Sequence, residues 1–338
     1  MIRVFVVDDS PFVRKALRRV LGADPEIAVV GEAATGAEAL ARIPEAKPHV
    51  VTLDIEMQGL DGLDVLRRLL AWRPSLRVIM LSAHTRKGAV ATLEALAVGA
   101  ADFIDKQNLN LMDLERLGRE LGERIRHLAS VRPGPGRAPA RSAPRGVDIP
   151  LADCELCVIG ASTGGPAALQ RLLERLPAEF PIPIAIVQHM PVGFTRPFAQ
   201  RLNGLCALNV REAVEGERLV PGEAIIAPAG RHLRLTSNLL ATVSTEPSTA
   251  RHTPSVDVLF RSAARARPGR VLGILLTGMG DDGAEGLGVI RAQGGITIVE
   301  SEESCAVYGM PRAAVERGAA EHVLSVEEIG GVLEGAGG

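Results

Sequence analysis

The segment at residues 131–150 constrains the fold of this chain more than any other stretch. It reads VRPGPGRAPARSAPRGVDIP and has five prolines and four arginines but almost no large apolar residue. Such a segment cannot bury enough surface to offset the entropy of ordering, which predicts a semi-extended linker. The 338 residues are also enough for two separate cores. We expect one domain at 1–125, a Pro/Arg-rich linker at 126–150 and a second domain at 151–338.

Both halves of the chain alternate short β-rich runs with helical patterns. In the first half the runs lie at 4–7, 29–31, 50–53, 78–81 and 101–104, with helical patterns such as 12–21 and 62–72. In the second half they lie at 156–159, 184–187 and 271–276, beside a hairpin-like segment at 224–235. Such alternation predicts a parallel sheet covered by helices on both faces. The fold class is therefore α/β in both domains, and we expect a doubly wound sheet in the second.

Polar residues follow the strands predicted for the first half. Asp8 and Asp9 follow the first run, and Asp54 follows the third. Ser82 and Lys106 come just after the fourth and fifth runs. Parallel strands gather such residues at one side of the sheet, where an all-oxygen cluster of acids suits Mg²⁺. The alternative is that the strand-end aspartates are N-caps of the helices that follow.

This pattern resembles the receiver domain of bacterial response regulators over residues 1–125. The resemblance implies a flavodoxin-like fold with a five-stranded parallel sheet, and it makes Asp54 the phosphoacceptor. It also implies a Mg²⁺ site for phosphorylation in which Asp8 and Asp9 form the acidic pair. Asp9 would be the direct ligand beside Asp54, and Glu56 would bind through its backbone carbonyl.

The same resemblance gives three further residues a signalling role. Ser82 and Phe103 would be the switch pair, and Lys106 would contact the phosphoryl group. Two positions depart from the receiver pattern, because Gln58 and Gln107 stand where receivers usually carry proline. A cis peptide bond before Gln107 would cost about 2.5 to 4 kcal/mol. These departures weaken expectations about loop geometry and leave the acidic cluster unaffected.

A serine follows the first predicted strand of the second half, in a glycine-rich turn. The sequence GASTGGP at 160–166 lies between the run 156–159 and a helical pattern at 167–176. A G-x-S-x-G turn between strand and helix is typical of a nucleophile elbow, which lifts the Ser162 hydroxyl clear of the sheet. A phosphate-binding loop or a plain tight turn is the alternative, although both common phosphate-loop patterns are absent.

A serine nucleophile needs a base, and the base needs an acid that orients it. His189 ends the second apolar run and would reach the same side of the sheet as Ser162 if the strands are parallel neighbours. Asp281 and Asp282 follow the run 271–276 in a glycine-rich loop. One of these two carboxylates should orient His189.

We expect structural or solvated roles for four other candidate residues. His232 and His252 fall in the hairpin-like segment and in a polar loop, where we expect both to be mostly solvated. Cys154 and Cys157 form a C-x-x-C pattern, but no second pair is present for zinc. Cys157 also lies inside a strand rather than at a helix start, so we expect these thiols to serve packing.

Four ordered motifs in the second half look like those of the chemotaxis protein-glutamate methylesterases, the CheB family. They are GASTGG at 160–165, QHM at 188–190, LTGMGDDG at 276–283 and CAVYGMP at 305–311. The resemblance covers nearly the whole chain and implies Ser162 as nucleophile, His189 as base and Asp282 as the acid that orients it. Thr163 and Met279 would lie beside the reacting centre, where backbone amides of both loops would form the oxyanion hole.

The resemblance implies a phosphorylation-activated serine hydrolase. It would remove methyl esters from glutamates, and deamidate glutamines, on the cytoplasmic helices of chemoreceptors for sensory adaptation in chemotaxis. A histidine kinase would donate phosphate, the receiver would control access to Ser162, and the esterase would need no cofactor. One alternative is a regulator whose second domain binds a partner without catalysis, with Ser162, His189 and Asp282 apart in space. Another is an esterase for small metabolites.

The composition narrows the possible partners. Because 38 Lys+Arg balance 40 Asp+Glu, the net charge of -2 gives no general attraction to nucleic acid. No run of about 18 apolar residues occurs, and the acidic Asp8 comes too early for a secretory apolar stretch. We expect a cytoplasmic monomer that is not membrane-embedded and has no nucleic-acid partner.

Overall fold

The computed structural model describes residues 1–83, 85–106, 114–130 and 149–336. The chain divides into two compact units, residues 1–140 and 141–338. Gln107 and residues 131–148 of the expected linker lie outside the described residues. No helix among the described residues is long and apolar enough to cross a membrane.

In its described part, the N-terminal unit alternates five strands with five helices. The strands are β1 (Ile2–Val7), β2 (Ile27–Ala33), β3 (Val50–Asp54), β4 (Arg77–Ser82) and β5 (Asp102–Asp105). The helices are α1 (Pro11–Gly22), α2 (Gly36–Ala46), α3 (Gly62–Trp72), α4 (Arg86–Val98) and α5 (Leu114–Ser130). The strands pair in parallel in the order β2-β1-β3-β4-β5. The expected five-stranded parallel sheet is confirmed.

Helix α5 continues past residue 125, where the first domain was expected to end. Leu117, Leu121, Ile125 and Leu128 are buried and recur at three- and four-residue spacing, so they form one apolar stripe of a helix. Because this stripe runs on beyond residue 125, the expected boundary falls inside the helix and not at its end.

The C-terminal unit has a larger sheet and a separate two-stranded ribbon. Its strands are β6 (Leu156–Ala161), β7 (Ile184–Gln188), β8 (Asn209–Glu212), β9 (Glu223–Ile226), β10 (His232–Leu235), β11 (Ala241–Ser244), β12 (Val271–Leu275), β13 (Ile296–Glu300) and β14 (His322–Leu324). Its helices are α6 (Gly165–Leu173), α7 (Thr195–Leu205), α8 (Val256–Ala266), α9 (Ala284–Ala292), α10 (Met310–Glu316) and α11 (Val326–Gly335).

The order of the large sheet reverses at β6. Seven strands pair in parallel in the order β14-β13-β12-β6-β7-β9-β8. The chain moves from β6 to β7 on one side and returns to β12 on the other, which confirms the doubly wound sheet. Open α/β sheets place their sites beyond the C-terminal ends of the strands at such a reversal.

The hairpin expected at residues 224–235 is wrong. Strand β9 pairs in parallel with β7 and β8 in the large sheet, whereas β10 pairs antiparallel with β11. Pro228 and Gly230 supply the turn that the sequence indicates, with Gly230 at a φ of 79°. The turn leads the chain out of the sheet instead of back along β9. The partners of β9 are set by contacts distant in sequence, which a local pattern does not specify.

The central strands of the large sheet are covered on both faces. Every residue of β6, β7 and β12 is buried, as expected for parallel strands between helices. Helix α8 packs directly on this layer, because a Cβ at Gly160 would lie 2.2 Å from Val256 Cγ1. Phe260 of the same helix is fully buried in the core. The start of α8 is thereby fixed beside the end of β6.

We predict that Phe260→Ala destabilises the C-terminal unit by about 3 to 5 kcal/mol, because it leaves a cavity in a packed core. The single tryptophan, Trp72, lies in the N-terminal unit, so its fluorescence reports urea unfolding of that unit alone. Far-UV circular dichroism should show the loss while the fluorescence transition stays unchanged. Leu205→Ala, at a side chain 45% exposed, is the control and should change stability by less than about 0.5 kcal/mol. An unaltered dichroism transition in Phe260→Ala would contradict this core.

Candidate active site

Three strand ends bring polar residues to one side of the large sheet. Strand β6 leads into Ser162, β7 leads into His189, and β12 leads into the loop that carries Asp282. The Ser162 amide donates to the Thr277 carbonyl at 3.0 Å, and the His189 amide donates to the Ala161 carbonyl at 3.0 Å. The pairing of β6 with both neighbours therefore continues into the loops. All three residues lie at the reversal point of the sheet.

His189 and Asp282 form a close pair. The distance between His189 Nε2 and Asp282 Oδ2 is 2.8 Å, and the two side chains are only 14% and 7% exposed. A carboxylate on one ring nitrogen fixes the tautomer and the orientation of a histidine. Because Asp282 takes Nε2, Nδ1 is the nitrogen that can act on a serine hydroxyl.

The N-terminus of helix α8 holds Asp282. Oδ1 accepts hydrogen bonds from the Ser255 hydroxyl at 2.8 Å and the Asp257 amide at 3.0 Å, and Oδ2 accepts one from the Val256 amide at 2.8 Å. Burial would raise the pKa of Asp282, but the bonds from His189 and the helix amides lower this pKa to about 2. The carboxylate is therefore ionised at neutral pH, next to the positive end of the helix dipole.

Two glycines set the turns that follow Ser162 and Asp282. Gly164, at a φ of 80°, and Gly283, at a φ of 94°, lie in the left-handed region and precede α6 and α9. A Cβ at Gly164 would also lie 2.4 Å from the Ala306 Cβ, so backbone and space both require glycine there. Ser162 thus lies at the start of a sharp turn from strand β6 to helix α6, and its role as a nucleophile stays a prediction.

Thr277 ties the loop after β12 to the serine turn. Its hydroxyl lies 2.9 Å from the Thr163 carbonyl and accepts from the Val307 amide at 2.9 Å. Its own amide donates to the carboxylate of Glu300 at 2.8 Å, and burial raises the pKa of that carboxyl. Thr163 is buried and Met279 is half-buried in these two loops. The sequence reasoning did not identify Thr277 or Glu300, because their contacts join distant segments.

The expectation that His232 and His252 are mostly solvated is wrong. His252 is half-buried and stacks on the ring of His189, with 4.6 Å between centroids and 23° between planes. Burial and the neighbouring His189 lower the pKa of His252. His232 is fully buried, and its Nδ1 accepts from the Ser255 amide at 3.2 Å. Both segments fold against the start of α8, which their local polarity does not reveal.

The acidic residues of the N-terminal unit also meet. Carboxylate oxygens of Asp8, Asp9 and Asp54 all lie within 4.8 Å of one another. Lys106 Nζ lies 2.8 Å from Asp8 Oδ2 and 2.6 Å from Asp54 Oδ2. Burial raises the pKa of Asp54 to about 6, although Lys106 acts in the opposite direction. A set of three carboxylates suits a hard cation such as Mg²⁺.

The alternative role of these aspartates as helix caps is excluded. Ser10 is the N-cap of α1 and Asp61 is the N-cap of α3. The carboxylate of Asp8 instead accepts from the Ser10 amide at 2.9 Å, and that of Asp54 accepts from the Glu56 amide at 3.1 Å. Both side chains thus shape the loops that surround the acidic cluster.

The two expected switch residues lie on neighbouring strands. Ser82 is buried at the end of β4, and its hydroxyl bonds to that of Thr92 on α4 at 2.6 Å. Phe103 is buried on β5, and its carbonyl accepts from Arg124 of α5 at 2.9 Å. Gln58 is exposed. The switch role of Ser82 and Phe103 stays a prediction.

The cysteines of the C-x-x-C pattern have the environment of packing residues. Cys154 is half-buried and Cys157 is fully buried, and both are free thiols. Burial raises the pKa of Cys154 to about 11 and raises that of Cys157 as well. Neither thiol is therefore poised as a nucleophile or a metal ligand.

Comparison with known proteins matches both units. The family model for the CheB methylesterase matches residues 157–333, and that for the response regulator receiver domain matches residues 4–116. The chain is 43% identical to protein-glutamate methylesterase/protein-glutamine glutaminase 2 of Nitratidesulfovibrio vulgaris, over 98% of both chains. It is 46% identical to enzyme 5 of that name in Myxococcus xanthus, over 96% of this chain and 95% of the relative.

A solved structure agrees with these matches for the C-terminal unit. The crystal structure of the Thermotoga maritima CheB methylesterase catalytic domain is 38% identical in sequence and has a TM-score of 0.52. The alignment covers 54% of this chain and 98% of that domain.

We predict that Ser255→Ala lowers kcat for ester hydrolysis about tenfold, because Asp282 loses a hydrogen bond that holds it toward His189. The change should also cost about 1 kcal/mol of stability, since Ser255 is the N-cap of α8. Ser325→Ala is the matched control, because Ser325 caps α11 through the amide of Glu328. It should lose similar stability and keep its kcat. Equal kcat values in the two variants would show that Asp282 does not need Ser255.

Proposed function

The chain belongs to the CheB methylesterase family, and we propose that Ser162, His189 and Asp282 are the residues that carry out its reaction. The protein is a protein-glutamate methylesterase and protein-glutamine glutaminase whose receiver domain makes it dependent on phosphorylation in chemotaxis. Chemoreceptors are the substrates, and a histidine kinase is the phosphodonor. We further propose that the substrate side chains lie on cytoplasmic receptor helices.

The observation that carries the assignment is the convergence of three strand ends at the reversal of the large sheet. His189 and Asp282 are paired there, with 2.8 Å between Nε2 and Oδ2. Ser162 begins the turn after β6, which lies between β7, the strand before His189, and β12, the strand before the Asp282 loop. A non-catalytic binding domain would not require His189 and Asp282 to pair beside the turn that carries Ser162. The arrangement therefore supports hydrolysis over partner binding alone.

In the proposed reaction, the Ser162 hydroxyl oxygen attacks the γ-carbonyl carbon of a glutamate methyl ester or a glutamine. His189 takes the hydroxyl proton as the new bond forms, and the carbonyl oxygen becomes an oxyanion. We assign the stabilisation of this oxyanion to backbone amides next to Thr163 and Met279, at the start of α6 and in the loop after β12. Amides at a helix start favour negative charge.

Collapse of the tetrahedral intermediate releases methanol or ammonia, which leaves with the proton held by His189. Water then attacks the acyl-enzyme, and His189 takes a proton from this water and returns it to the Ser162 oxygen. Asp282 stabilises the imidazolium at both stages. Its pKa of about 2 means that the carboxylate keeps its charge while the imidazole gains and loses a proton.

In the N-terminal unit we propose Asp54 as the phosphoacceptor. A receiver domain uses a divalent metal, and the three clustered carboxylates fit one. We assign Mg²⁺ to Asp9 as direct ligand, with Asp8, Asp54 and the backbone carbonyl of Glu56 completing the protein ligands. The bound cation would neutralise charge around the transferred phosphoryl group.

Lys106 links phosphorylation to the rest of the receiver in this proposal. Its ammonium now bridges Asp8 and Asp54, and a phosphoryl group on Asp54 would offer it more strongly charged oxygens. We propose that Lys106 then binds the phosphoryl group while Ser82 and Phe103 respond to it. This change would relieve the control that the receiver exerts on access to Ser162.

The domains are assigned to residues 1–125 and 151–338 with the linker at 126–150, although α5 places the first five linker residues in a helix. We propose a cytoplasmic monomer without a nucleic-acid partner, and an esterase that needs no cofactor.

We predict that Ser162→Ala lowers methanol release from methylated receptor fragments on the order of 10³-fold or more, because the variant lacks the hydroxyl that forms the acyl-enzyme in the proposed reaction. Phosphorylation of Asp54 should be unaffected. Ser237→Ala, at an exposed serine between β10 and β11, should retain full activity. Full activity of Ser162→Ala would contradict the nucleophile assignment. Turnover of small methyl esters by the wild type, with none of receptor fragments, would instead favour an esterase for small metabolites.

We predict that a small acyl phosphate with Mg²⁺ raises methanol release by the wild type on the order of 10- to 50-fold, as expected if a closed state opens. Asp54→Ala should not respond, because it cannot accept the phosphoryl group. Asp61→Asn, which changes an exposed acid of the same unit, should respond like the wild type. A normal response of Asp54→Ala would place the phosphorylation site elsewhere.

A further inference from the structure

Gln188 connects the two turns of the active site through its side chain. It is the last residue of β7, and it is only 1% exposed. Its Nε2 donates to the Ser162 carbonyl at 2.9 Å and to the His189 carbonyl at 3.0 Å. A single amide group is thus bonded to the backbone of both residues that exchange a proton in the proposed reaction.

The orientation of this amide is fixed by its partners. Both neighbours of Nε2 are carbonyl oxygens, so a flipped amide would bring three acceptor oxygens together. Oε1 points the other way, toward Gly165, where a Cβ would lie only 2.1 Å from it. The lack of a side chain at Gly165 therefore provides the space for the Gln188 amide.

The amide is not explained by stability alone. Oε1 is buried and has no hydrogen-bond partner among the residues that the structure describes. An unpaired buried oxygen is destabilising, and an apolar side chain of the same length would avoid it. What the amide supplies is the pair of donated bonds to the two turns.

These bonds lie where the strand pairing ends. The register of β6 and β7 reaches Ala161 opposite Gln188, and the last backbone bond runs from the His189 amide to the Ala161 carbonyl. Ser162 also closes its own turn by accepting from the Gly165 amide at 2.8 Å. Beyond this point, the Gln188 amide continues the link between the turns.

We propose that Gln188 is a positioning residue that holds the backbone of Ser162 at a fixed distance from that of His189. This inference rests on the proposed roles of those two residues. Proton transfer between them requires a defined separation, and a misplacement of about 1 Å costs a reaction on the order of 100-fold. The bonds described for the Gln188 amide go to backbone carbonyls, so it would act through the backbone of these two residues.

The test uses Gln188→Met in the full-length protein, since methionine has a similar length but no donor. We expect kcat for methanol release to fall about 10- to 100-fold, with KM within about threefold of the wild type, because substrate contacts remain. The rate at which a fluorophosphonate probe modifies Ser162 should fall by a similar factor. Gln170→Met is the matched control on α6, where the amide bonds to Glu174, and it should behave like the wild type.

A second variant separates positioning from packing. In Gln188→Glu the ionised carboxylate would face two carbonyl oxygens, whereas the protonated acid can donate one hydrogen bond. The kcat of this variant, divided by that of the wild type at the same pH, should therefore rise several-fold between pH 8 and pH 5. Urea unfolding at both pH values gives the folded fraction of the variant, and a residue that serves packing alone would show a constant ratio of kcat per folded enzyme.

The outcomes distinguish this inference from the proposed function. If Ser162→Ala is inactive but folded Gln188→Met keeps a kcat within twofold of the wild type, the positioning role is overturned and the nucleophile stands. If Ser162→Ala stays active in the same assay, the proposed role of Ser162 is overturned, and the positioning role of Gln188 is overturned with it. If Gln188→Met does not fold, the pH profile of Gln188→Glu decides, and a constant ratio overturns the positioning role.

Discussion

The active site depends on the parallel pairing of β6 with β7 on one side and with β12 on the other. Parallel strands end on the same side of a sheet, so Ser162, His189 and Asp282 all follow neighbouring strand ends although they are far apart in the sequence. Helix α8 then provides the hydrogen-bond donors that hold Asp282. It crosses above β6, close to Gly160, and its first amides hold the Asp282 carboxylate. Strand order thus brings these residues to one end of the sheet, and the packing of α8 stabilises the ionised carboxylate of Asp282.

The N-terminal unit applies the same arrangement to a different chemistry. Three acids and Lys106 meet beyond β1, β3 and β5, where burial and close spacing oppose the ionisation of Asp54. In the C-terminal unit, by contrast, four donated hydrogen bonds keep Asp282 ionised. A cation would therefore stabilise the ionised carboxylates of the N-terminal cluster, whereas Asp282 is already ionised beside His189.

The sequence predicted the location of residues that come directly after a strand. The places of Ser162, His189 and the acidic cluster require only that the apolar runs form parallel strands. Residues whose contacts join distant segments could not be found this way. Ser255 looks like an ordinary helix cap, and nothing near it in sequence indicates Asp282 as its partner. The solvated role expected for His252 and the hairpin at 224–235 were wrong for the same reason, since long-range packing outweighs local polarity.

The two adjacent aspartates of the loop after β12 differ in how far solvent reaches them. Asp281 pairs with Arg317 at 2.8 Å, and both side chains are 47% exposed, so dissolved salt screens this pair. All the hydrogen bonds described for Asp282 come from the protein, and counter-ions have little access to its buried carboxylate. Ionic strength therefore weakens the exposed Asp281–Arg317 pair, while the electrostatics of the His189–Asp282 pair stay insulated from the medium.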